Sequence, residues 1–260
     1  MSLYARLEKQ DPALKQYVNA SKHLFSSLIR AVPGSHNVLL QPSATEGKPL
    51  LCIVVGTSKG LCGSLNSNLF RFLDASLSEN NQGIDFVVIG SKATKYIAEK
   101  QLGTVICTYA ELASNNFITI ADDLISKIKA GDSAYSSVIV FSNHAKSFFT
   151  QKPCKTVVVP FEHGILDLTE EVAENQGQMI WEQGSNEVLE QLAMQYLRGS
   201  IMNLLFQSLR AEHAARFLAM ENSTSNAEKY LEKLTLQYNK QRQSLITREV
   251  SELCAAFPTR

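Results

Sequence analysis

No apolar stretch in these 260 residues is long enough to cross a bilayer, which takes about 20 consecutive apolar residues in a helix. The N-terminal MSLYARLEKQDP has no apolar core of the kind a signal peptide needs, and its charges of both signs make it a poor transit peptide. An excess of one charge is missing too. The 25 basic and 25 acidic side chains cancel, so no global field draws the chain to nucleic acid or to an acidic membrane. Cysteine is scarce and odd in number, at five: Cys52, Cys62, Cys107, Cys154 and Cys254 are too widely spaced for a metal site. Three of them stand in or beside strand-like runs, so free thiols in a reducing compartment are expected, with no disulfide. These absences argue for a soluble chain with no direct membrane insertion, whose membrane association runs through partners.

Proline and glycine are missing over one long stretch. From Asn186 to Ala256 there is no proline, and Gly199 is the only glycine, tolerable inside a helix at about 1 kcal/mol. Apolar positions step helically through Leu189, Leu192 and Tyr196, then Leu231, Leu234 and Tyr238, then Ile246, Val250, Leu253 and Phe257. The polar ENSTSNAEK at 221–229 is weakly helical, but nothing in it forces a stop. One helix is therefore expected over 186–257. It is too long to pack along its whole length on a domain about 30 Å across, so part of it must meet another helix.

The internal candidate lies at the other end. Residues 11–32 read as an amphipathic helix with Asp11 as cap and Pro12 at its first position. Leu14, Val18, Ser21, Phe25, Leu28 and Val32 alternate steps of four and three, a seam close to a coiled-coil period. A helix running back through Tyr4 to Lys9 would put Pro12 in its interior, at about 3 kcal/mol, so a break or kink at Pro12 is expected within the N-terminal stalk segment 1–34.

Between the two helices, residues 48–161 alternate short apolar runs with helical ones. The runs are LLCIVVG (50–56), DFVVIG (85–90), TVICT (104–108), SVIVFS (137–142) and KTVVVPF (155–161), with helices expected at 65–79, 91–101 and 117–130, the last ended by Gly131. Continuous apolar strands imply burial on both faces, hence an α/β domain with a Rossmann-like, largely parallel sheet. SFFTQKP and CKTVVVPF can add an antiparallel edge that tolerates Pro153. An acidic connection, 162–185, with Glu170, Glu171 and Glu174, reads as a solvated loop. The organisation is an α/β domain inserted between two terminal helices that form an antiparallel coiled-coil stalk.

The glycine-rich GTSKGLCGSLNSNLF (56–70) after the first strand raises the question of a phosphate site. Its spacing fails that test. Leu61 stands where a P-loop requires its second glycine, Lys59 precedes the Gly60–Gly63 pair, and Gly56, Gly60 and Gly63 do not form a dinucleotide fingerprint. Cys62 has no base readable from sequence, because His23, His36, His144, His163 and His213 form no cluster. His213 beside Glu212 reads as a surface or interface histidine, and Trp181 as an anchor. No catalytic residue, metal site or cofactor emerges. Gly60, Cys62 and Gly63 are read as a structural turn with the thiol packed beneath it, and Asn66 and Asn68 as ties at the start of the next helix.

VVGTSKGLCGSLNSNLF resembles the GLCG and N-x-N pattern of the gamma subunit of rotary ATP synthases. LRAEHAARFLAMENSTSNAEKYLEKLTLQYNKQRQSLITREVSEL is similar to that family's C-terminal shaft helix nearly throughout. The resemblance implies a non-catalytic central-stalk rotor that couples ion-driven rotation of a membrane c-ring to conformational change at beta-subunit nucleotide sites. Its implied partners are the alpha and beta subunits, the epsilon subunit (delta in mitochondrial naming) and the c-ring. It implies a peripheral membrane complex, on the cytoplasmic face of a bacterial inner membrane or on the matrix side of the mitochondrial one. Residue by residue, Arg242 and Gln243 match positions that hydrogen-bond acidic loops of the beta subunits, and Glu212, Arg216 and Met220 match the foot near epsilon and the c-ring. Ile246, Val250, Leu253 and Phe257 match the apolar tip of the shaft.

The match begins partway along the N-terminal helix, near QYVNASKHL, without the family's basic TQKITKAM-like segment. About half of the C-terminal shaft is then expected to lack an intramolecular mate. A fragment, a divergent single-helix axle and a paralogue all remain open on that point. The competing reading, an α/β nucleotide- or small-molecule-binding protein with a helical oligomerisation tail, rests on the glycine-rich turn.

Overall fold

Unbroken runs of Val, Ile and Leu make strands suited to burial on both faces, and the sheet they form here is covered on both sides. The computed structural model describes residues 2–31, 48–77, 83–130, 135–161 and 184–256. Its strands are β1 (Leu50–Val55), β2 (Ile84–Ile89), β3 (Thr104–Tyr109), β4 (Ser137–Ala145) and β5 (Gln151–Val159). Its helices are α1 (Ser2–Ala31), α2 (Leu65–Leu77), α3 (Ser91–Lys100), α4 (Phe117–Ala130) and α5 (Ser185–Ala256). The sheet order is β3-β2-β1-β4-β5, parallel except for the antiparallel β4–β5 pair, in which Pro153 lies opposite Asn143 on the outermost strand. Val138, Val140 and Leu51, Ile53, Val55 face a core shared with α4, α5 and α1, while Cys52, Val54 and Phe86, Val88 face α2 and α3. The expected Gly131 cap and most of the acidic connection lie outside the described residues.

The chain divides into two compact units, Met1–Phe217 and Leu218–Arg260, so the division falls within α5. In the first unit α1 and the first half of α5 run antiparallel. Gln195 Nε2 donates to the Tyr17 hydroxyl at 3.3 Å, and Gln207 Nε2 donates to Asp11 Oδ1 at 2.7 Å. Close approach is possible because position 199 is glycine: a Cβ there would sit 3.2 Å from the Tyr17 ring. At the far end of α1, Phe25 packs between Phe161 and Tyr196, with ring centroids at 5.3 and 5.8 Å.

The expected break at Pro12 is absent: α1 runs through it from Ser2. Tyr4, Leu7 and Asp11 are buried and extend the seam of Ser21 and Phe25 backwards by two more turns, while Pro12 faces solvent. Burying Tyr4 and Leu7 contributes about 1.5–3 kcal/mol for each side chain, enough to offset the roughly 3 kcal/mol cost of the proline. Asp11 is not a cap either, since its carboxylate is taken up by α5. The expectation of two-sided burial fails for β3. It is one of the sheet's two edge strands, with Val105 and Ile106 exposed, and its register slips between Phe86 and Val87 so that Ile106 is the extra residue of a bulge.

Gly90 closes β2 at a φ of 95°, and a Cβ there would lie 2.7 Å from the Gly56 carbonyl oxygen. That neighbour is backbone and cannot swing away. Gly90→Ala is therefore expected to lower the free energy of unfolding by at least about 2 kcal/mol, strain and overlap acting together. Urea denaturation monitored by circular dichroism tests this, and an unchanged midpoint refutes it.

Candidate functional site

In a parallel sheet whose strand order reverses between β1 and β4, ligands bind in the crevice beyond the strand ends at that reversal. Here the crevice is filled from within. Cys62, Leu65, Ala145, Ala211 and Ala215 form one buried cluster, the two latter alanines coming from α5. The first two backbone donors of the turn are already engaged. Gly56 N–H donates to Ile89 O at 2.9 Å and Thr57 N–H to Asn66 Oδ1 at 3.2 Å, while Asn66 Nδ2 donates to Thr57 Oγ1 at 2.7 Å. Asn66 thus ties the turn to α2, and Asn68 bonds Ser64 at the helix start. A separate groove of about 750 Å³ lies at the opposite, N-terminal ends of the strands, lined by Pro49, Gly83, Gly103 and Thr104 among others.

The turn itself is built differently from its glycine pattern. Positive φ values fall at Leu61 (62°) and Gly63 (56°), whereas a Cβ on Gly60 would meet nothing within 4 Å. What matters at Gly60 is its carbonyl, which accepts from the Cys62 thiol at 3.4 Å and from Arg216 Nε at 3.5 Å. Arg216 Nη2 also donates to Cys62 Sγ at 3.2 Å and to the Glu212 carboxylate. Cys62 packs beneath the turn, 5 % exposed, and burial pushes its thiol up from the ordinary value. Burial likewise raises the Glu212 carboxyl, with the Arg216 guanidinium partly offsetting it.

Two further polar contacts hold the same part of α5. The Asp11 carboxylate receives Arg210 Nη1 at 2.6 Å, Gln207 Nε2 at 2.7 Å and Lys15 Nζ at 2.7 Å. Burial pushes this carboxyl up, but Lys15 and Arg210 together bring it below the ordinary carboxylate value. Ser208 Oγ accepts from the Asn143 N–H at 3.0 Å, and the buried Asn143 brings β4 against the helix. The structure thus gives Glu212 and Arg216 an intramolecular role that sequence patterns did not single out. Gln207, Ser208, Arg210 and Asn143 were missed altogether. Their partners lie 65 to 199 residues away, and the only legible signal was a run of polar residues inside an apolar helical seam.

In the second unit, every described residue from Met220 to Ala256 is exposed, including Arg242 and Gln243. Ile246, Val250 and Leu253 are exposed by 49 %, 52 % and 60 %, and Leu231 and Tyr238 by more than 60 %. Phe257 lies outside the described residues. The helix accommodates its Ser and Thr residues by back-bonding: Ser223, Thr224, Thr235, Thr247 and Ser251 each donate to the carbonyl four residues earlier. No grouping of metal-ligating side chains occurs among the described residues, and no helix there is long and apolar enough to cross a membrane.

Gly63→Ala is expected to cost about 1–2 kcal/mol from its left-handed backbone. Gly60→Ala is expected to stay within about 0.5 kcal/mol of the parent, as an unconstrained surface change does. Equal losses in paired urea melts contradict this reading of the turn. A second expectation concerns pH. Burial holds the His213 imidazole below its ordinary value of 6.5, and the charges of Arg216 and Lys59 act in the same direction. The unfolded chain then binds a proton that the folded chain resists, so the stability His213 contributes is present above 6.5 and is lost as pH falls below that value. The denaturation midpoint of the parent should drop more between about pH 7 and about pH 5 than that of His213→Asn. Parallel drops exclude His213 as the cause.

A family model described as ATP synthase matches residues 2–258. The ATP synthase gamma chain of Clostridium perfringens (strain SM101 / Type A) is 31% identical over 241 residues, covering 92% of this chain and 81% of that one. That of Francisella tularensis subsp. mediasiatica is 31% identical over 217 residues, covering 78% and 72%. Among solved structures, a chain of the Euglena gracilis mitochondrial ATP synthase OSCP/F1/c-ring assembly shares the fold at a TM-score of 0.60, with 18% identity, 98% of this chain and 91% of that one. A chain of the Tetrahymena thermophila mitochondrial ATP synthase central stalk and c-ring does so at 0.55, with 18% identity, 84% and 99%. The terminal-helix pair, the five-stranded sheet between them and the match from end to end agree: the chain belongs to the ATP synthase gamma-chain family.

Proposed function

We propose that this chain is the non-catalytic rotor of an ATP synthase central stalk, turning with the c-ring and driving conformational change at beta-subunit catalytic sites. The supporting observation is the second half of α5. An isolated helix that exposes Leu231, Leu234, Tyr238, Ile246, Val250 and Leu253 leaves a long apolar stripe in water, which a partner surface must cover. The alpha and beta subunits supply that surface. Arg242 and Gln243 interrupt the stripe and face acidic beta-subunit loops, where a guanidinium makes a directional bond that can form and break with each step. Ile246, Val250, Leu253 and Phe257 form the tip that turns in the ring's collar.

At the membrane side the partners are the epsilon subunit and the c-ring, so the chain is held to the membrane through other subunits, on the cytoplasmic face of a bacterial inner membrane. Met220 is exposed and free to reach a partner, whereas Glu212 and Arg216 are committed inside their own unit. The nucleotide-binding alternative has little room, since the crevice it needs is packed with side chains.

Purified chain should co-assemble with alpha and beta subunits and raise their ATP turnover. Arg242→Ala should weaken that assembly by about tenfold, the scale of one charge-assisted hydrogen bond. Size-exclusion and titration measurements decide both points. Absence of co-assembly by the unaltered chain overturns the rotor assignment.

A further inference from the structure

Within the first unit, α5 is held in two different ways. From Leu189 to Leu205 its buried contacts are apolar, through Leu189, Ala193, Leu197, Ile201 and Leu205. The polar links along that stretch, Gln195–Tyr17 and Arg198–Asp122, lie at the surface, the second between side chains 42% and 47% exposed. From Gln207 to Arg216 the pattern reverses. The buried apolar side chains shrink to Leu209 and the small Ala211, Ala214 and Ala215, and buried polar contacts take over.

These contacts run to three different elements. Arg210 and Gln207 engage Asp11 on α1, with the Arg210 and Asp11 side chains 9% and 11% exposed. Ser208 engages the backbone of Asn143 on β4. Arg216, braced by Glu212, engages Gly60 and Cys62 in the turn after β1. At about 100° per residue, the five α5 side chains are spread over about 240° of the helix circumference, within about 14 Å of its length.

We propose that this polar collar fixes the rotational register of α5 in the α/β domain, and that Asp11, Ser208, Arg210 and Arg216 are positioning residues for torque transfer. The inference rests on the rotor assignment above. Apolar packing is non-directional, and a stretch of helix that buries one leucine and three alanines offers limited steric resistance to turning about its own axis. Hydrogen bonds and ion pairs distributed around the circumference resist that turning, because each is lost on a small rotation. Buried ion pairs are weak sources of net stability but effective devices for setting register. Their concentration in the last turns of α5 before Leu218 puts them at the boundary of the first unit, where a torque on the helix enters the domain.

The test uses the complete complex of this chain with alpha, beta, epsilon and c-ring subunits. The Asp11–Arg210 pair is replaced by apolar groups, Asp11→Leu with Arg210→Met, and a separate variant replaces the other pair in the same way, Glu212→Leu with Arg216→Met. With the catalytic sites locked by a non-hydrolysable nucleotide, the angular spread of a probe on the α/β domain reports torsional compliance. Each variant should broaden the angular variance by about 1.5-fold, as expected when one of three equal, independent anchors is removed. The thermal midpoint and co-assembly should be unchanged. Arg210→Lys, which keeps a charge opposite Asp11, should retain the narrow spread. Unchanged variance in both apolar variants overturns the proposal. So does a broadening that comes with an equal loss of thermal stability in both, which marks the contacts as ordinary stabilising ones. Failure of the unaltered chain to assemble or turn is a different result, and refutes the rotor assignment instead.

Discussion

One face of the sheet is covered largely by the two ends of the chain, and the rest of the first unit depends on that packing. Leu51, Ile53 and Val55 of β1 and Val138 and Val140 of β4 share a core with Leu189 to Leu209 of α5 and with Leu7 and Phe25 of α1. Remove either terminal helix and the central strands lose the environment for which their continuous apolar sequence is suited. The α/β domain is therefore no insert that could fold while the helices wait outside. Its core is completed only when residues from both ends of the chain have come together, as the Phe25–Phe161–Tyr196 contacts require.

The same helix also decides what the fold is used for. A sheet of this order offers a crevice at the β1–β4 reversal, and many proteins of this architecture place a cofactor there. In this chain Ala211 and Ala215 enter it together with Cys62. Fold alone carries no function, and here the position that elsewhere receives a ligand receives part of the protein's own C-terminal helix. The glycine-rich turn is then best understood by what its carbonyls and side chains accept, namely Arg216 and the Asn66 tie, rather than by its resemblance to an anion cradle.

Local signals in the sequence located the strands and helices to within a few residues, because apolar runs and 3.6-residue periods are properties of contiguous segments. Three features escaped for reasons that are not local. Pro12 was read as a break because its cost is intrinsic, while the compensation comes from Tyr4 and Leu7 buried in tertiary structure. TVICT looks as buried as LLCIVV, yet β3 is an edge, and strand position in a sheet is a matter of topology. Asp11 was read as a helix cap because Asp before Pro fits one, whereas its partners Gln207 and Arg210 lie at the other end of the chain. Gly60, Cys62 and Gly63 could be read as a structural turn, but the placing of the positive φ values at Leu61 and Gly63 was not legible.

The bulge at Ile106 has a bearing on how this chain survives outside any assembly. An open edge strand carrying Val105 and Ile106 in the exposed state is a template on which a second sheet can grow. An inserted residue breaks the two-residue repeat of backbone donors and acceptors and adds local twist, so a straight incoming strand finds no continuous set of partners. The single irregularity in β3 therefore serves as protection against edge-to-edge aggregation, achieved without placing a charge or a proline in the strand.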